Sequence, residues 1–452
     1  MQLLEKSITI PAAPENRGLI EHFEKALSFR FTEGEIPVRF VVASADDDNY
    51  SCEIGCLVES NKTISETQDS IFSFVRRDGV NAAQFNAVYI VPTGIGAEVG
   101  GHAGDATPAA RLLASCCDQL ITHPNVVNAS DINEMPANAY YVEGSVLCRL
   151  LMGTIGIEPV RANRVLVIYD SQSDPMIENL VLNTVESARA TYGFDCAGIY
   201  KLEPPLELTA SSSASGRAVG SGQGIDRVFD LLEETEGDYD AVAISSLIGV
   251  PDGFHEKYFN SGGSMINPWG GIEAMLTHSV SHCFNVPSAH APMMESREIL
   301  NEDPGRVDPR MAAEAISSSF LQCVLKGLQR SPRIVVDPVR MGASGVLTAR
   351  DVSCLVIPEG CIGLPTLAAL EQGIPVIAVR EGSGLIAGDL NMLPWRDHQL
   401  FIAENYWEAA GIMSALRAGI MPNSVRRPFN RLEVKTWRKS SSTAPTIRRQ
   451  LI

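Results

Sequence analysis

The chain has 452 residues, with 36 lysines and arginines against 54 aspartates and glutamates and a formal net charge of −18. Hydrophobic residues make up 45% and charged residues 20%, which is typical of a globular protein with room for two or three cores at about 150 residues per domain. This composition excludes a largely disordered chain and argues against a nucleic-acid partner held by bulk positive charge.

The sequence shows no membrane span, because no run of roughly 18 apolar residues is present. Residues 1–6 lack the basic and apolar regions of a signal peptide. Ten cysteines at irregular spacing favour buried, reduced thiols over a disulfide framework. We therefore expect a cytoplasmic protein.

Continuous apolar runs predict strands, with helical stretches between them. The predicted strands are 38–43, 87–91, 119–122, 164–169, 197–201, 241–245, 333–336, 354–357 and 376–379. Continuous rather than alternating runs indicate strands buried on both faces of a parallel sheet. The predicted fold class is α/β, with doubly wound, mostly parallel sheets in two Rossmann-like domains and a small α+β region at the N-terminus.

The same pattern predicts the domain organisation. A small α+β region over 1–80 precedes a glycine-rich-loop α/β unit over 81–160, and a second α/β region with a C-terminal ligand-binding unit covers 161–424. A tail over 425–452 carries eight basic residues and one acidic residue, which indicates either a docking arm for an acidic partner or a solvated terminus. The low-complexity segment 209–224 predicts a flexible surface loop or a lid that orders over a ligand.

The segment 87–117 carries the main signal for a binding site. A buried strand ends at Pro92, a loop with five glycines follows, and Thr107 with Pro108 predicts the start of a helix. Glycines permit close backbone approach and a helix start offers unpaired N–H groups, so the expected ligand is a phosphate or carboxylate. A tight structural turn is the alternative. The predicted ligand-binding residues are Thr93, Gly94, Gly96, Gly100, Gly101 and Thr107.

A second segment, 353–379, repeats this arrangement. The strand ends at Pro358, glycines follow, Pro365 opens a helix and Gly373 ends it. Ligands of open α/β sheets bind at the carboxyl ends of the strands, so we expect the two loops to face each other across one interdomain cleft. The ligand-binding residues predicted in this loop are Glu359, Gly360 and Gly363.

Polar residues after the strand 119–122 suggest acid–base chemistry. His102 with Asp105, and His123 with Asp131, are candidate proton-transfer pairs in which the carboxylate orients the imidazole. Asn125 is a further candidate for ligand binding. The alternative is that these side chains stabilise their loops by hydrogen bonds.

A metal site is a weaker candidate. His278 and His282 are four residues apart in a predicted helix over 271–283 and therefore share one face. Otherwise these histidines cap or pack the helix. The sequence indicates no particular cofactor.

Two family resemblances accompany these motifs. Segment 353–379, ending in Gly373-Ile-Pro375-Val-Ile, resembles the nucleotide-sugar-binding half of GT-B-type glycosyltransferases and epimerases. Glu359 matches the first glutamate of that family's pair, but neither Leu367 nor Ala368 matches the second. Over most of its length the chain is similar to the domain of unknown function 3326 family of cyanobacteria and plants. That resemblance is carried by segments 92–108, 122–131 and 267–273, and it implies no particular reaction.

Together these observations predict an enzyme, transferase-like or hydrolase/lyase-like, that acts on a small anionic or phosphorylated metabolite such as a nucleotide derivative. The two glycine-rich loops would hold the anion, and a homo-oligomer is compatible with the sequence. The alternative is a non-catalytic protein that senses a metabolite or docks on a partner through its basic tail.

Overall fold

The computed structural model describes residues 1–13, 18–59, 69–129, 131–386, 388–429 and 431–437. Residues 430 and 438–452 of the predicted basic tail lie outside the described residues. None of the helices in these ranges is long and apolar enough to cross a membrane.

The described strands are, in chain order, β1 (Gln2–Pro11), β2 (Glu35–Ala45), β3 (Asn49–Val58), β4 (Asn86–Tyr89), β5 (Gln119–Thr122), β6 (Asn128–Ala129), β7 (Ile132–Asn133), β8 (Ala139–Tyr141), β9 (Gly156–Glu158), β10 (Arg164–Asp170), β11 (Asp195–Leu202), β12 (Glu207–Ser212), β13 (Ala218–Gln223), β14 (Ala241–Ser246), β15 (Ile248–Gly249), β16 (Ser288–Pro292), β17 (Arg333–Val335), β18 (Val352–Pro358), β19 (Ile362–Gly363), β20 (Val376–Val379) and β21 (Leu400–Ala403). Every run that the sequence predicted as a strand overlaps one of these strands.

The described α-helices are α1 (Leu19–Ser28), α2 (Thr107–Ala114), α3 (Pro124–Val127), α4 (Gly144–Met152), α5 (Pro175–Tyr192), α6 (Ile225–Glu234), α7 (Phe254–Phe259), α8 (Gly270–Phe284), α9 (Arg297–Leu300), α10 (Ala312–Ala315), α11 (Leu321–Leu328), α12 (Pro338–Met341), α13 (Leu364–Gln372) and α14 (Tyr406–Arg417). Short 3₁₀ helices lie at Pro309–Met311, Ala349–Asp351, Leu390–Met392 and Pro422–Val425.

A six-stranded parallel sheet carries both predicted glycine loops. Its strand order is β8-β5-β4-β18-β20-β21, and its strands, numbered along the chain, read 3-2-1-4-5-6. This is the order of a doubly wound sheet, whose switch point here lies between β4 and β18. The loops after β4 and β18 therefore leave neighbouring strands at the same edge of the sheet.

A second parallel sheet has four strands in the order β11-β10-β14-β16. Asp170 ends β10 and is fully buried. Its carboxylate accepts hydrogen bonds from the backbone N–H groups of Leu206 (2.9 Å) and Leu247 (3.3 Å).

With these two parallel sheets the structure is a mixed α/β protein, and its division into two Rossmann-like domains stays a prediction.

The third large sheet joins distant parts of the chain in the order β15-β12-β13-β1-β3-β2-β19. Its pairings are antiparallel except that between β12 and β15. Helix α8 packs on this sheet through β2 and β13, and on its other sides it contacts β16 and α4. This helix therefore lies between the antiparallel sheet and the four-stranded parallel sheet.

The low-complexity segment is the antiparallel hairpin β12–β13 rather than a flexible loop or lid. Arg217 in its turn is 1% exposed and points inward, where its Nε donates to Glu53 (3.0 Å) and its Nη2 donates to Glu5. Gly216 adopts a φ of 84° in the same turn. A single inward arginine thus anchors a segment whose serines and glycines suggested flexibility.

Candidate functional site

A cavity of about 250 Å³ lies where the carboxyl ends of the two parallel sheets meet. From the six-stranded sheet, Thr93, His123 and Glu143 line it just beyond β4, β5 and β8; from the four-stranded sheet, Leu247 and Met293 do so beyond β14 and β16. Helix α8 closes one side with Glu273, Thr277 and His278. We call this space the main cavity. Its position is the one that open α/β sheets use for ligands.

Glu143 and His278 form a coupled pair in the wall of the main cavity. Glu143 Oε2 caps α4 by accepting from the backbone N–H groups of Ser145 (2.8 Å) and Val146 (3.3 Å). Its other oxygen, Oε1, accepts from Thr277 Oγ1 (3.3 Å) and lies 3.1 Å from His278 Nε2. The Glu143 side chain is 3% exposed, so these partners replace water.

The proton arrangement of His278 follows from its partners. Its Nδ1 lies 3.2 Å from the carbonyl oxygen of Val38, which only accepts, so Nδ1 carries a proton. Its Nε2 then faces Glu143 Oε1 at 3.1 Å. Burial lowers the pKa of His278, whereas the charge of Glu143 opposes that shift. An imidazole and a carboxyl group this close together can act as a general acid–base pair.

His123 supplies a neutral imidazole beside this pair. Its Nε2 accepts from the backbone N–H of Val91 (3.2 Å), which leaves the ring proton on Nδ1. Burial, with a smaller contribution from the charge of His278, lowers the pKa of His123 to about 3. His123 is therefore a neutral hydrogen-bond donor at neutral pH.

A second histidine–glutamate contact lies across the main cavity. His290 Nε2 is 2.7 Å from Ser246 Oγ, and its Nδ1 lies 3.2 Å from Glu273 Oε2 without a well-formed hydrogen bond. Ser246 is fully buried and does not line the cavity. The cluster of Ser246, His290 and Glu273 therefore does not present an accessible serine nucleophile.

The first glycine loop is packed mainly against the protein itself. Gly94 has a φ of 80°, and a Cβ there would come within 2.7 Å of the carbonyl oxygen of Ala218. Thr93, Gly94 and Gly101 line the main cavity. Gly96 lies against Ile266 instead, and Gly100 lies against Val91.

Asn125 and Thr107 hold this loop in place. Asn125 lines the main cavity, and its amide donates to the carbonyl oxygens of Val91 (3.0 Å) and Gly100 (3.2 Å). Thr107 is buried and donates to the carbonyl oxygen of Val126 (3.4 Å). Both contacts are those expected if these side chains stabilise a tight structural turn. Anion binding at the N-terminus of α2 stays a prediction.

His102 does not pair with Asp105. The Tyr258 hydroxyl donates to Glu314 Oε2 (2.8 Å), so its oxygen accepts from His102 Nδ1 (2.8 Å). Glu314 Oε1 in turn accepts from the backbone N–H of Ala103 (2.7 Å). These buried groups tie the glycine loop to α7 and α10, which makes His102 a structural anchor outside the main cavity.

Asp105 is a buried carboxyl group near the backbone N–H groups of Gly100 and His102. Burial, the largest cause, raises its pKa to about 7, and those N–H groups oppose the shift. Neither of its oxygens makes a well-formed hydrogen bond. It does not line the main cavity.

Asp131 does not pair with His123. Its Oδ1 accepts from the Ser317 hydroxyl (3.1 Å) and the Ser319 backbone N–H (3.0 Å). Burial raises the pKa of Asp131, and these hydrogen bonds oppose the shift. Of the four predicted proton-transfer residues, the structure thus brings His123 alone to the main cavity.

The second glycine loop borders a smaller cavity of about 130 Å³, which we call the arginine cavity. Gly363 lines it, as does Thr93 from the first loop, so the two loops do meet there. Glu359 lies instead beside Arg380 (3.3 Å). Gly360 accepts a hydrogen bond from the backbone N–H of Gly388 (3.0 Å).

His278 and His282 both line the arginine cavity but do not converge on a metal site. His282 Nδ1 is buried without a hydrogen-bond partner, and burial lowers the pKa of His282 to about 4. Among the described residues, no group of three or more histidine, cysteine, aspartate or glutamate side chains is arranged to hold a metal ion.

Glu143, which forms half of the central pair, was not predicted from the sequence. It follows strand β8, which has three residues, too few to stand out as an apolar run. Glu273 was not among the predicted site residues either. Its spacing of four residues from Thr277 along α8 was the available signal for a polar face.

The fold and the cavity define a mixed α/β protein with a ligand-sized cavity at the carboxyl ends of two parallel sheets. The model of the family described as protein of unknown function (DUF3326) matches residues 86–426, and the chain belongs to this family. An uncharacterized lipoprotein of a Synechococcus strain is 33% identical over 351 residues, which cover 76% of this chain and 94% of that protein. No solved structure matches this chain.

These comparisons correct two expectations. The resemblance to GT-B-type domains finds no support in them, in keeping with the position of Glu359 beside Arg380. The relative is named a lipoprotein, which contradicts the cytoplasmic location expected from the sequence. That expectation is wrong.

Proposed function

We propose that this protein is an enzyme that transfers a proton on a small-molecule substrate held in the main cavity. The observation that carries the proposal is the Glu143–His278 pair, whose Oε1 and Nε2 atoms lie 3.1 Å apart in the cavity wall. Paired groups of this kind serve as general acid or base, typically with a rate contribution of about 10² to 10⁴.

His123 has a complementary role in this proposal. Removal of a proton from carbon next to a carbonyl group leaves negative charge on the carbonyl oxygen. A neutral imidazole that donates a hydrogen bond stabilises that charge without competing as a base. His123 Nδ1 is such a donor, because its pKa of about 3 keeps the ring neutral. The proposed reaction class is therefore an isomerase or lyase step that begins with proton abstraction.

The charge of the main cavity restricts the reacting part of the substrate. Within the described part of the chain, its lining includes glutamates and no lysine or arginine. A neutral or cationic group is thus favoured next to the Glu143–His278 pair, since an anion there would face repulsion at short range. The glutamates are Glu143, Glu273, Glu295, Glu302 and Glu314.

The proposal is tested by incubating the purified protein with a cyanobacterial metabolite extract and following the extract by mass spectrometry. Wild type should convert at least one compound, and Glu143→Gln should convert it at least about 100-fold more slowly. Glu186→Gln, a change at an exposed surface ion pair, is the matched control and should behave as wild type. Equal conversion by Glu143→Gln and wild type would refute the assignment.

A further inference from the structure

We infer that the arginine cavity is a subsite for an anionic group, a carboxylate or a phosphate, on the same substrate. The inference rests on the proposed function for the reacting end of the substrate. The anion subsite itself rests on the residues of the smaller cavity and stands without that function.

The charge of the arginine cavity is opposite to that of its neighbour. Among the residues that the structure describes, its lining includes Arg39, Arg149 and Arg217 and no aspartate or glutamate. The two cavities share Thr93, His123, Gly144, Ala274 and His278 as lining residues. The two cavities are therefore neighbours, and in this proposal one elongated substrate spans both, with its anionic end among the arginines and its reacting end at the Glu143–His278 pair.

Arg217 presents an unused donor in this wall. The side chain is 1% exposed, and its Nη1 is buried without a hydrogen-bond partner among the described residues. Its Nε and Nη2 are engaged by Glu53 and Glu5 behind the wall. A buried guanidinium donor with no acceptor is costly, and an anion in the cavity supplies that acceptor.

The other two arginines donate to neutral acceptors. Arg39 donates to the carbonyl oxygens of Gly271 (3.2 Å) and Thr93 (2.8 Å). Arg149 donates to the carbonyl oxygen of Ser281 (3.4 Å) and to Asn285 Oδ1 (2.7 Å). None of these acceptors carries a charge. The carboxylates that act on the two guanidinium groups, Glu5 and Glu53 for Arg39 and Asp69 and Glu143 for Arg149, do not line the arginine cavity.

The start of helix α13 adds a third contribution. Gly363 is its N-cap and offers no capping side chain, the first turn holds no acidic residue, and Leu364 with Thr366 lines the arginine cavity. The positive end of this helix therefore faces the same space as the arginines. The volume of about 130 Å³ accommodates one carboxylate or phosphate group.

Inorganic phosphate is the probe for this subsite. We expect the full-length protein to bind phosphate in isothermal titration calorimetry, and Arg149→Gln to bind it about tenfold more weakly or worse, because one charge-assisted contact is lost. Arg189→Gln, an arginine in an exposed pair with Glu186, should bind phosphate as wild type does. Acetate, titrated in parallel, separates a carboxylate-sized subsite from one that requires phosphate.

NMR spectra of the arginine side chains provide a readout that does not depend on a variant. Phosphate should shift the Nε–Hε signals of Arg39, Arg149 and Arg217 and leave that of Arg189 in place. Absence of measurable phosphate and acetate binding, or equal phosphate affinity in Arg149→Gln and wild type, would overturn the inference. Neither measurement involves turnover, so anion binding without conversion of any metabolite would defeat the proposed function and keep the subsite.

Discussion

Asp105 offers a quantitative test of the buried electrostatics around the first glycine loop. Its pKa is raised from 3.8 to about 7, mainly by burial. The folded protein therefore holds a proton that the unfolded chain releases above about pH 4. A raised folded-state pKa means that the stabilisation is fully present below the unfolded value and is lost as the pH rises through the folded value.

The size of this effect follows from the shift. A change of roughly three pKa units corresponds to about 4 kcal/mol, lost between about pH 4 and pH 7. Asp105→Asn removes the titration while keeping the shape of the side chain. The free energy of unfolding of the variant should therefore rise relative to wild type across this range, by up to about 4 kcal/mol.

Urea unfolding of both proteins at several pH values from about 5 to 8 measures the difference directly. Asp252→Asn, a change at an exposed aspartate, is the control and should follow wild type at every pH. A constant difference between Asp105→Asn and wild type over this range would show that the carboxyl group titrates normally, and the account of its burial would be refuted.

Three further changes test other parts of the structure. Tyr258→Phe removes the hydroxyl that Glu314 accepts from, and it should lower the free energy of unfolding by about 1–3 kcal/mol; an unchanged urea midpoint would contradict this contact. Arg217→Met leaves Glu53 buried without its partner and should lower the free energy of unfolding by about 3–5 kcal/mol. A second change, Glu53→Gln, should restore part of that loss in the same assay. Deletion of 425–452 should alter the free energy of unfolding by less than about 1 kcal/mol, since the ion pair made by its described residues, Arg426 with Glu408, is at the surface. The deletion should also leave phosphate affinity unchanged, and lost phosphate binding would give the tail a role in the site.

The parallel sheets were predictable because their signal is local. Continuous apolar runs such as those of β4 and β18 lie next to each other in the structure, and the proline and glycine residues after them mark the ends of the strands. The switch point, where both glycine loops meet, follows from the strand order. That order depends on pairing between segments about 270 residues apart along the chain. The hydrophobic pattern of a segment identifies a strand but does not show which strand lies next to it.

The partners of the polar side chains were not predictable for a related reason. His102 was predicted to pair with Asp105 because the two are close along the chain. In the structure the His102 ring contacts Tyr258, which is 156 residues away. Arg217 lay in a segment whose serines and glycines indicated flexibility, and its charge became informative only with Glu53 and Glu5 placed behind it. Long-range ion pairs and hydrogen bonds decide which polar residues reach the cavities.

Deuterium labelling tests proton transfer by the Glu143–His278 pair most directly. The protein is incubated with the metabolite extract in D₂O, and mass spectrometry records which compounds gain deuterium at carbon. Wild type and Glu186→Gln should label the same compound, and Glu143→Gln should label it at least about 100-fold more slowly. Labelling that is absent in wild type, or equally fast in Glu143→Gln, would contradict the account.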